Sequence, residues 1–385
     1  MTTVHWVGTG LSAVPGLRRL ISTGQKTLVW NRTVSKAEQA TAGLRGDFSI
    51  QPFSKEALAA KVTSGDLILS MLPGTWHLPL AELALEKSAH FVSSSYISDE
   101  MRALDQAAKN TGLCVVNEVG LDPGIDHLLA HSLVQSYTNS AKFDPRHAHY
   151  FRSYCGGVPK IPNDFRYKFS WSPLGVLKAL KSPARCIANG QVVDTQRPWD
   201  AISNYTAVLP DGQEVFEAYP NRDSTPFMSD YHFGKDWNVQ EFVRGTLRLN
   251  GWAEAWRGVF DEVESLEGPA GDARLQEMSN ELWSKYAYDE GEPDRVVLCV
   301  ELEVRDDNKA IWHQSYAVDA AGDDRGSAMA RLVSIPVSLT IEEVLNGQID
   351  PGVSAAPSKP AIIERWLKEL RARGDEFVLF DQLNM

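Results

Sequence analysis

Residues 117–127 read Asn-Glu-Val-Gly-Leu-Asp-Pro-Gly-Ile-Asp-His, three carboxylates, a rigid Pro-Gly turn and a histidine within one short stretch. Such groups hold and move protons. An apolar run from Gly112 to Val116 precedes them, and another from Leu128 to Val134 follows. The pattern predicts a strand, a loop and a helix. In an open parallel sheet the crevice beyond the carboxyl ends of the strands is where ligands bind. A second signal opens the chain, where Val4-His5-Trp6-Val7 leads into Gly8-Thr9-Gly10-Leu11-Ser12-Ala13. Gly8 suits the tight turn after a strand, Gly10 lets the backbone approach a pyrophosphate, and Ala13 lets a helix pack closely on the sheet. The helix N-terminus would aim unpaired N–H groups at the phosphates, and Pro15 falls in its first turn, where a missing N–H costs little. The chemistry implied is hydride transfer with a dinucleotide cofactor.

Thr27-Leu28-Val29-Trp30 supplies a second strand, which ends in Asn31-Arg32-Thr33. A site for NAD usually has an acidic residue here for the ribose 2′-hydroxyl. That acid is absent, and the planar fork of Arg32 matches a 2′-phosphate. NADP(H) is therefore the expected cofactor and NAD(H) the alternative; the plainer reading of Arg32 is a solvated surface charge. The remaining elements must position these groups. Asp66–Pro73 and His90–Tyr96 read as buried strands, and residues 99–111 as a helix with Met101, Leu104, Ala107 and Ala108 on one face and Gly112 as its C-cap. This alternation predicts an α/β fold, a Rossmann doubly wound parallel sheet over residues 1–125. From about residue 143 aromatic residues cluster among longer polar loops, with strand-like runs at Val296–Val304 and Ile311–Val318. An α+β substrate domain with a mixed or antiparallel sheet is expected over 126–325, with a small helical insert at 252–290. Ala355–Pro360 reads as a linker and Ala361–Arg371 as a helix.

The chain has 385 residues, enough for two or three domains. Its net charge of −12 disfavours nucleic acid as a partner. No apolar run is long enough to span a membrane, and the first residues lack a secretory pattern, so a cytoplasmic protein with no membrane partner is expected. The four cysteines, Cys114, Cys155, Cys186 and Cys299, are widely spaced, against a zinc site or disulfide framework. His127 and His131 have the spacing of metal ligands on a helix, but no third ligand accompanies them. No metal is expected, and packing at the helix surface or N-terminus is the reading preferred.

Longer motifs narrow the assignment. Ser95-Tyr96-Ile97-Ser98, Gly120 through His127, Ser153-Tyr154-Cys155-Gly156-Gly157, Tyr167 through Pro173, Tyr219 through Thr225 and Arg244-Gly245-Thr246-Leu247-Arg248 follow in order. With them the chain resembles the glutamate-forming saccharopine dehydrogenases, also called saccharopine reductases. The resemblance extends to about residue 256, weakens over 257–325 and resumes from Gly326. It implies interconversion of saccharopine with glutamate and 2-aminoadipate 6-semialdehyde. It also implies that segment 326–385 returns to complete the first domain.

On that resemblance, Ser95 and Tyr96 stand at the boundary of cofactor and substrate. Arg222, Arg244, Gly245 and Thr246 bind substrate, and Cys155 lies near the reacting centre. Leu72, Ser94, Leu121, Asp122, Pro123 and Ser172 join Gly8, Gly10, Leu11, Ser12, Ala13, Asn31, Arg32 and Thr33 in the cofactor set. Asp122, Tyr96 and Cys155 are the catalytic candidates. Asp122 is the preferred proton handler, with a positional role against cofactor or a substrate ammonium as the alternative. The two arginines suit a substrate with three carboxylates, with Lys168 or Arg166 nearby in sequence; an internal ion pair such as Arg222 with Asp223 is the plain alternative. Gly156-Gly157 is read as letting a ligand approach beside Cys155. Competing functions are a dehydrogenase of another amino-acid or polyamine conjugate, and a non-catalytic NADP(H) sensor. An exposed sheet edge in the second domain suggests a homodimer.

Overall fold

Every side chain of β1 (Val4–Val7) and β4 (Leu67–Ser70) is buried, as in strands covered on both faces of a parallel sheet. The computed structural model, which describes residues 2–384, makes these two strands neighbours at the centre of a seven-stranded sheet. The other strands are β2 (Thr27–Asn31), β3 (Phe48–Pro52), β5 (His90–Ser93), β6 (Cys114–Val116) and β15 (Gly352–Ser354). Their order is β15-β6-β5-β4-β1-β2-β3, all parallel. The direction of winding reverses between β1 and β4, so the loops after these two strands border the switch-point crevice. A side chain at Gly8 would lie 3.1 Å from the Met71 backbone and 3.2 Å from Leu72, and Gly8 has φ 102°. Glycine is required there on both counts.

The chain divides into two compact units, the first reaching Leu128 and resuming over Met329–Lys368, the second covering Leu129–Ala328 and the chain from Glu369. In the first unit, helix Val14–Ser22 packs closely on helix Ala328–Leu345. Gly16 N donates to Ser334 Oγ at 2.8 Å, and Arg19 makes paired contacts with Glu342 at 2.8 and 3.1 Å. The expected single helix over 99–111 is instead two, Asp99–Arg102 and Asp105–Thr111. The break has a tertiary cause. Asp105 opens the second helix, and its carboxylate accepts from Val353 N in β15 at 2.9 Å and from Lys109 at 2.7 Å. Met101 and Ala108 are buried, but Ala107 is exposed, contrary to the predicted face. Gly112 caps the second helix with φ 70°.

The second unit is built on β7 (Ala148–Pro159), β8 (Ala184–Ala188), β9 (Gln191–Thr195), β10 (Ser203–Leu209), β11 (Gly212–Pro220), β12 (Asn238–Leu249), β13 (Asp294–Asp306), β14 (Lys309–Ala321) and β16 (Val378–Asp381). They form a nine-stranded sheet in the order β10-β11-β12-β7-β13-β14-β16, with β8 and β9 off that path. Only β12 and β7 run parallel, so the sheet is mixed. The motif segments Ser153–Gly157 and Arg244–Arg248 lie within the interior strands β7 and β12. The helical insert is Trp252–Ala255, Arg257–Ser265 and Gly268–Tyr286. Its aromatic residues Trp252, Trp256 and Phe260 pack with Tyr167, Phe169 and Tyr219 in one apolar cluster. The chain end differs from expectation: residues after Lys368 return to the second unit, because β16 pairs with β14.

Candidate active site

Ser93 ends β5, and Ser94, Ser95 and Tyr96 follow it at the carboxyl edge of the parallel sheet. The Ser93 hydroxyl donates to Asn117 Oδ1 at 2.7 Å and so ties this loop to the one after β6. Ile97 N donates to Glu118 Oε1 at 2.8 Å, and Glu118 N to the Ser95 carbonyl at 3.1 Å. The Gly120–Gly124 turn is tight. Gly120 N donates to the Pro123 carbonyl at 2.9 Å, and the Asp122–Pro123 peptide is cis. A Cβ on Gly124 would lie 2.1 Å from the Gly120 carbonyl oxygen. No side chain fits there.

The three carboxylates of this loop have different surroundings. Asp126 is buried and accepts from Gly124 N at 2.7 Å. Glu118 is buried and faces His127 Nε2 at 3.0 Å. Asp122 is half-buried, and its Oδ1 accepts the Tyr96 hydroxyl at 3.0 Å. Asp126 and Glu118 thus brace the loop, and Asp122 pairs with the other candidate acid–base group. His127 packs buried in the first turn of helix Ile125–Thr138, as the N-terminal alternative expects, whereas buried His131 corrects a helix-surface position.

His77 was not singled out from the sequence. It begins the helix after β4, with Nδ1 at 3.1 Å from Ser70 Oγ and Nε2 at 2.8 Å from Ser95 Oγ. Burial lowers its pKa to about 4, so the ring is neutral at physiological pH. Its position beyond the carboxyl end of the central strand β4 is a signal that could have found it in the sequence.

The glycine turn has the features a dinucleotide needs. A Cβ at Gly10 would meet nothing within 4 Å. Helix Val14–Ser22 starts at Ala13 without a side-chain cap; Pro15 has no N–H and Gly16 N is held by Ser334 Oγ, so it is the positive end of the helix dipole that would favour an anion here. Thr9 Oγ1 is buried without a hydrogen-bond partner. Leu11 is 52% exposed at the turn, and Ser12 is half-buried beside it. Asn31 Oδ1 accepts from Thr9 N at 3.4 Å and its amide donates to the Thr33 carbonyl at 2.8 Å, which joins the ends of β1 and β2. Arg32 is exposed there, with no ion pair among the described residues.

In the second unit, Arg244, Gly245 and Thr246 lie on interior strand β12. Thr246 is in register with Cys155 of β7 and with Tyr219 of β11. Arg244 is 2% exposed, its guanidinium carbon 4.0 Å from the centroid of the Phe227 ring. Arg222 is exposed and takes φ 57° at the turn after β11. Asp223, its suggested internal partner, accepts from Thr225 N and Oγ1 and lies 4.0 Å from Arg185. Lys168 pairs with Glu292 at 2.5 Å. Gly156 serves strand packing and not ligand approach: a Cβ there would lie 2.5 Å from the Leu247 carbonyl oxygen. Ser172 caps helix Pro173–Leu180 by accepting from Gly175 N at 3.2 Å.

Glu301, Glu303 and His313 have donor atoms within 4.8 Å of one another. Arg152 reaches both carboxylates, at 2.8 and 3.5 Å, and Arg305 reaches Glu303 at 2.6 Å. This is an ion-pair cluster with its own cations.

Residues 4–116 match the saccharopine dehydrogenase NADP binding domain family, and residues 120–375 the saccharopine dehydrogenase C-terminal domain family. The chain belongs to the saccharopine dehydrogenase family. It is 31% identical to the saccharopine dehydrogenase (NADP(+), L-glutamate-forming) of Pyricularia oryzae, over 96% of each chain. The enzyme of the same name from Saccharomyces cerevisiae is 29% identical over 95% of this chain and 96% of its own. The apo structure of histidine-tagged saccharopine dehydrogenase (L-Glu forming) from Saccharomyces cerevisiae superposes with a TM-score of 0.79, at 25% identity and covering 99% of both chains.

Proposed function

We propose that the chain is an NADP-dependent, glutamate-forming saccharopine dehydrogenase. The observation that carries this reading is the Tyr96–Asp122 pair, 3.0 Å apart at the carboxyl edge of a sheet that fits a dinucleotide. When bound, NADP+ supplies the acceptor for a hydride from the carbon beside the secondary amine. The protein's own groups do the rest. Asp122 takes the proton from the amine, directly or through water, and the Tyr96 hydroxyl stabilises its carboxylate form. Water then adds to the imine, and the same pair moves the protons that let the carbinolamine collapse to glutamate and the semialdehyde. Arg222 and Arg244 bind substrate carboxylates, with Gly245 and Thr246 beside them, and the Phe227 ring fixes the plane of the Arg244 guanidinium. Cys155 contacts the reacting centre without a covalent role, since the chemistry requires none.

Arg32, Asn31 and Thr33 receive the 2′-phosphate, the glycine turn receives the pyrophosphate, and Leu72, Ser94, Leu121, Pro123 and Ser172 complete the cofactor contacts. In this reading the protein acts in the cytoplasm as a homodimer; among the described residues no helix is long and apolar enough to cross a membrane, and β10 stands at one end of the strand order of its sheet, where an edge can pair. Purified protein with saccharopine should reduce NADP+ faster than NAD+, followed by nicotinamide absorbance. Absence of turnover with either cofactor would overturn the assignment.

A further inference from the structure

Ser70, His77 and Ser95 form a line of hydrogen bonds whose direction is fixed from its buried end. Ser70 is fully buried, and its Oγ has two partners: Leu72 N at 3.5 Å, which can only donate, and His77 Nδ1 at 3.1 Å. The Ser70 hydrogen therefore has one acceptor, His77 Nδ1. The opposite arrangement, Nδ1–H donating to Ser70, would leave a buried hydroxyl hydrogen without a partner, which buried polar groups rarely tolerate. A neutral imidazole carries one ring hydrogen. With Nδ1 accepting, that hydrogen is on Nε2 and points at Ser95 Oγ, 2.8 Å away. Ser95 Oγ then accepts from His77, and its own hydrogen turns elsewhere. Ser95 is half-buried and follows β5 at the edge of the sheet, beside the Tyr96 that holds Asp122.

We infer that His77 is a positioning residue: held as its Nε2–H tautomer by Ser70, it donates to Ser95 and leaves the Ser95 hydroxyl as a donor to an acceptor oxygen of the bound ligands. That oxygen belongs to a substrate carboxylate or to the carboxamide of the nicotinamide. The inference rests on the proposed reading of Ser95 as a residue at the cofactor–substrate boundary. The polarised chain strengthens the final donor, so His77 acts on binding without touching the reacting atoms.

Two measurements test it. The first is a long-range proton–nitrogen correlation spectrum of the full chain labelled at its histidine nitrogens, with His77→Gln assigning the signal. A proton on Nε2 at neutral pH is expected; a proton on Nδ1 overturns the inference. This readout is independent of turnover, so a chain inactive on saccharopine would defeat the proposed function and leave the tautomer question answered. The second is binding and kinetics. Ser95→Ala should weaken one ligand by about ten-fold, the loss of one hydrogen bond. A rise in KM for saccharopine with NADPH Kd unchanged identifies the substrate carboxylate, and a rise in NADPH Kd identifies the carboxamide. No change in either overturns the inference. His77→Gln keeps an N–H near the Nε2 position and should retain affinity that His77→Met loses. Equal losses in the two variants would mark His77 as merely structural and overturn it.

Discussion

Asp122 and Arg32 carry the sharpest consequences at the scale of single residues. Asp122→Asn keeps the shape of the side chain and its contact with Tyr96 but removes the base. kcat should fall by about 10²-fold, the usual weight of a positioned acid–base group, while the Kd for NADPH, read by fluorescence, stays unchanged. An unaltered kcat would remove Asp122 from the mechanism. Arg32→Ala should lower kcat/KM with NADP+ by about ten-fold or more, because a charge-assisted contact to a phosphate is lost, and should leave kcat/KM with NAD+ nearly unchanged. Asp122 was legible in the sequence because a Pro-Gly turn between apolar runs fixes a loop at a strand end. Its neighbours Glu118 and Asp126 were not distinguishable from it there. Only the fold shows that one braces Ile97 and the other closes its own turn. His77 was hidden for a related reason: its partners Ser70 and Ser95 are seven positions before it and eighteen after it, and a strand pairing brings them together.

Among the elements, the approach of helix Val14–Ser22 to helix Ala328–Leu345 is the most exacting. A Cβ at Gly16 would lie 2.0 Å from the Ser334 carbonyl oxygen, a backbone atom that cannot swing aside. Gly16→Ala should destabilise the first unit by about 1–3 kcal/mol, the cost of overpacking, read as a lower urea midpoint. An unchanged midpoint would mean that the two helices slide apart without loss. Strands β1, β2, β4, β5 and β6 were readable because largely apolar runs bounded by turn signals have few alternatives, whereas β3, with the half-exposed sequence Phe-Ser-Ile-Gln-Pro, and the three-residue β15 were not read as strands. The interior strands of the second unit were not. Ser153–Gly157 and Arg244–Arg248 mix small, aromatic and charged residues, and their strand character comes from partners far away in sequence. The break between Asp99–Arg102 and Asp105–Thr111 was equally hidden, since Asp105 bonds to a strand 248 positions away.

For the molecule as a whole, buried histidines set the response to acid. Burial lowers the pKa of His77 and of His149 to about 4, and lowers those of His5 and His90. The unfolded chain takes up these protons near pH 6.5, whereas the folded chain resists them until about pH 4 at His77 and His149. Between those limits the unfolded state binds more protons, so stability falls as pH falls. The thermal midpoint should be highest above about pH 6.5 and drop progressively toward pH 4, and His77→Gln should flatten that drop. A midpoint constant from pH 7 to pH 5 would contradict the buried, neutral state of these rings. The discontinuous first unit also bears on how the protein is made. Strand β15 closes the edge of β6, and Asn117 N, at the start of the loop that carries Asp122, donates to the Ser354 carbonyl at 2.8 Å. On the ribosome, everything from Leu129 to Ala328 emerges between the two halves of this unit. Until residue 354 leaves the exit tunnel, the nascent chain carries a bare, apolar strand edge. A chain that ended within the second unit would lack β15 and keep that edge unpaired, so the parallel sheet is closed only by residues made after almost the whole of the second unit.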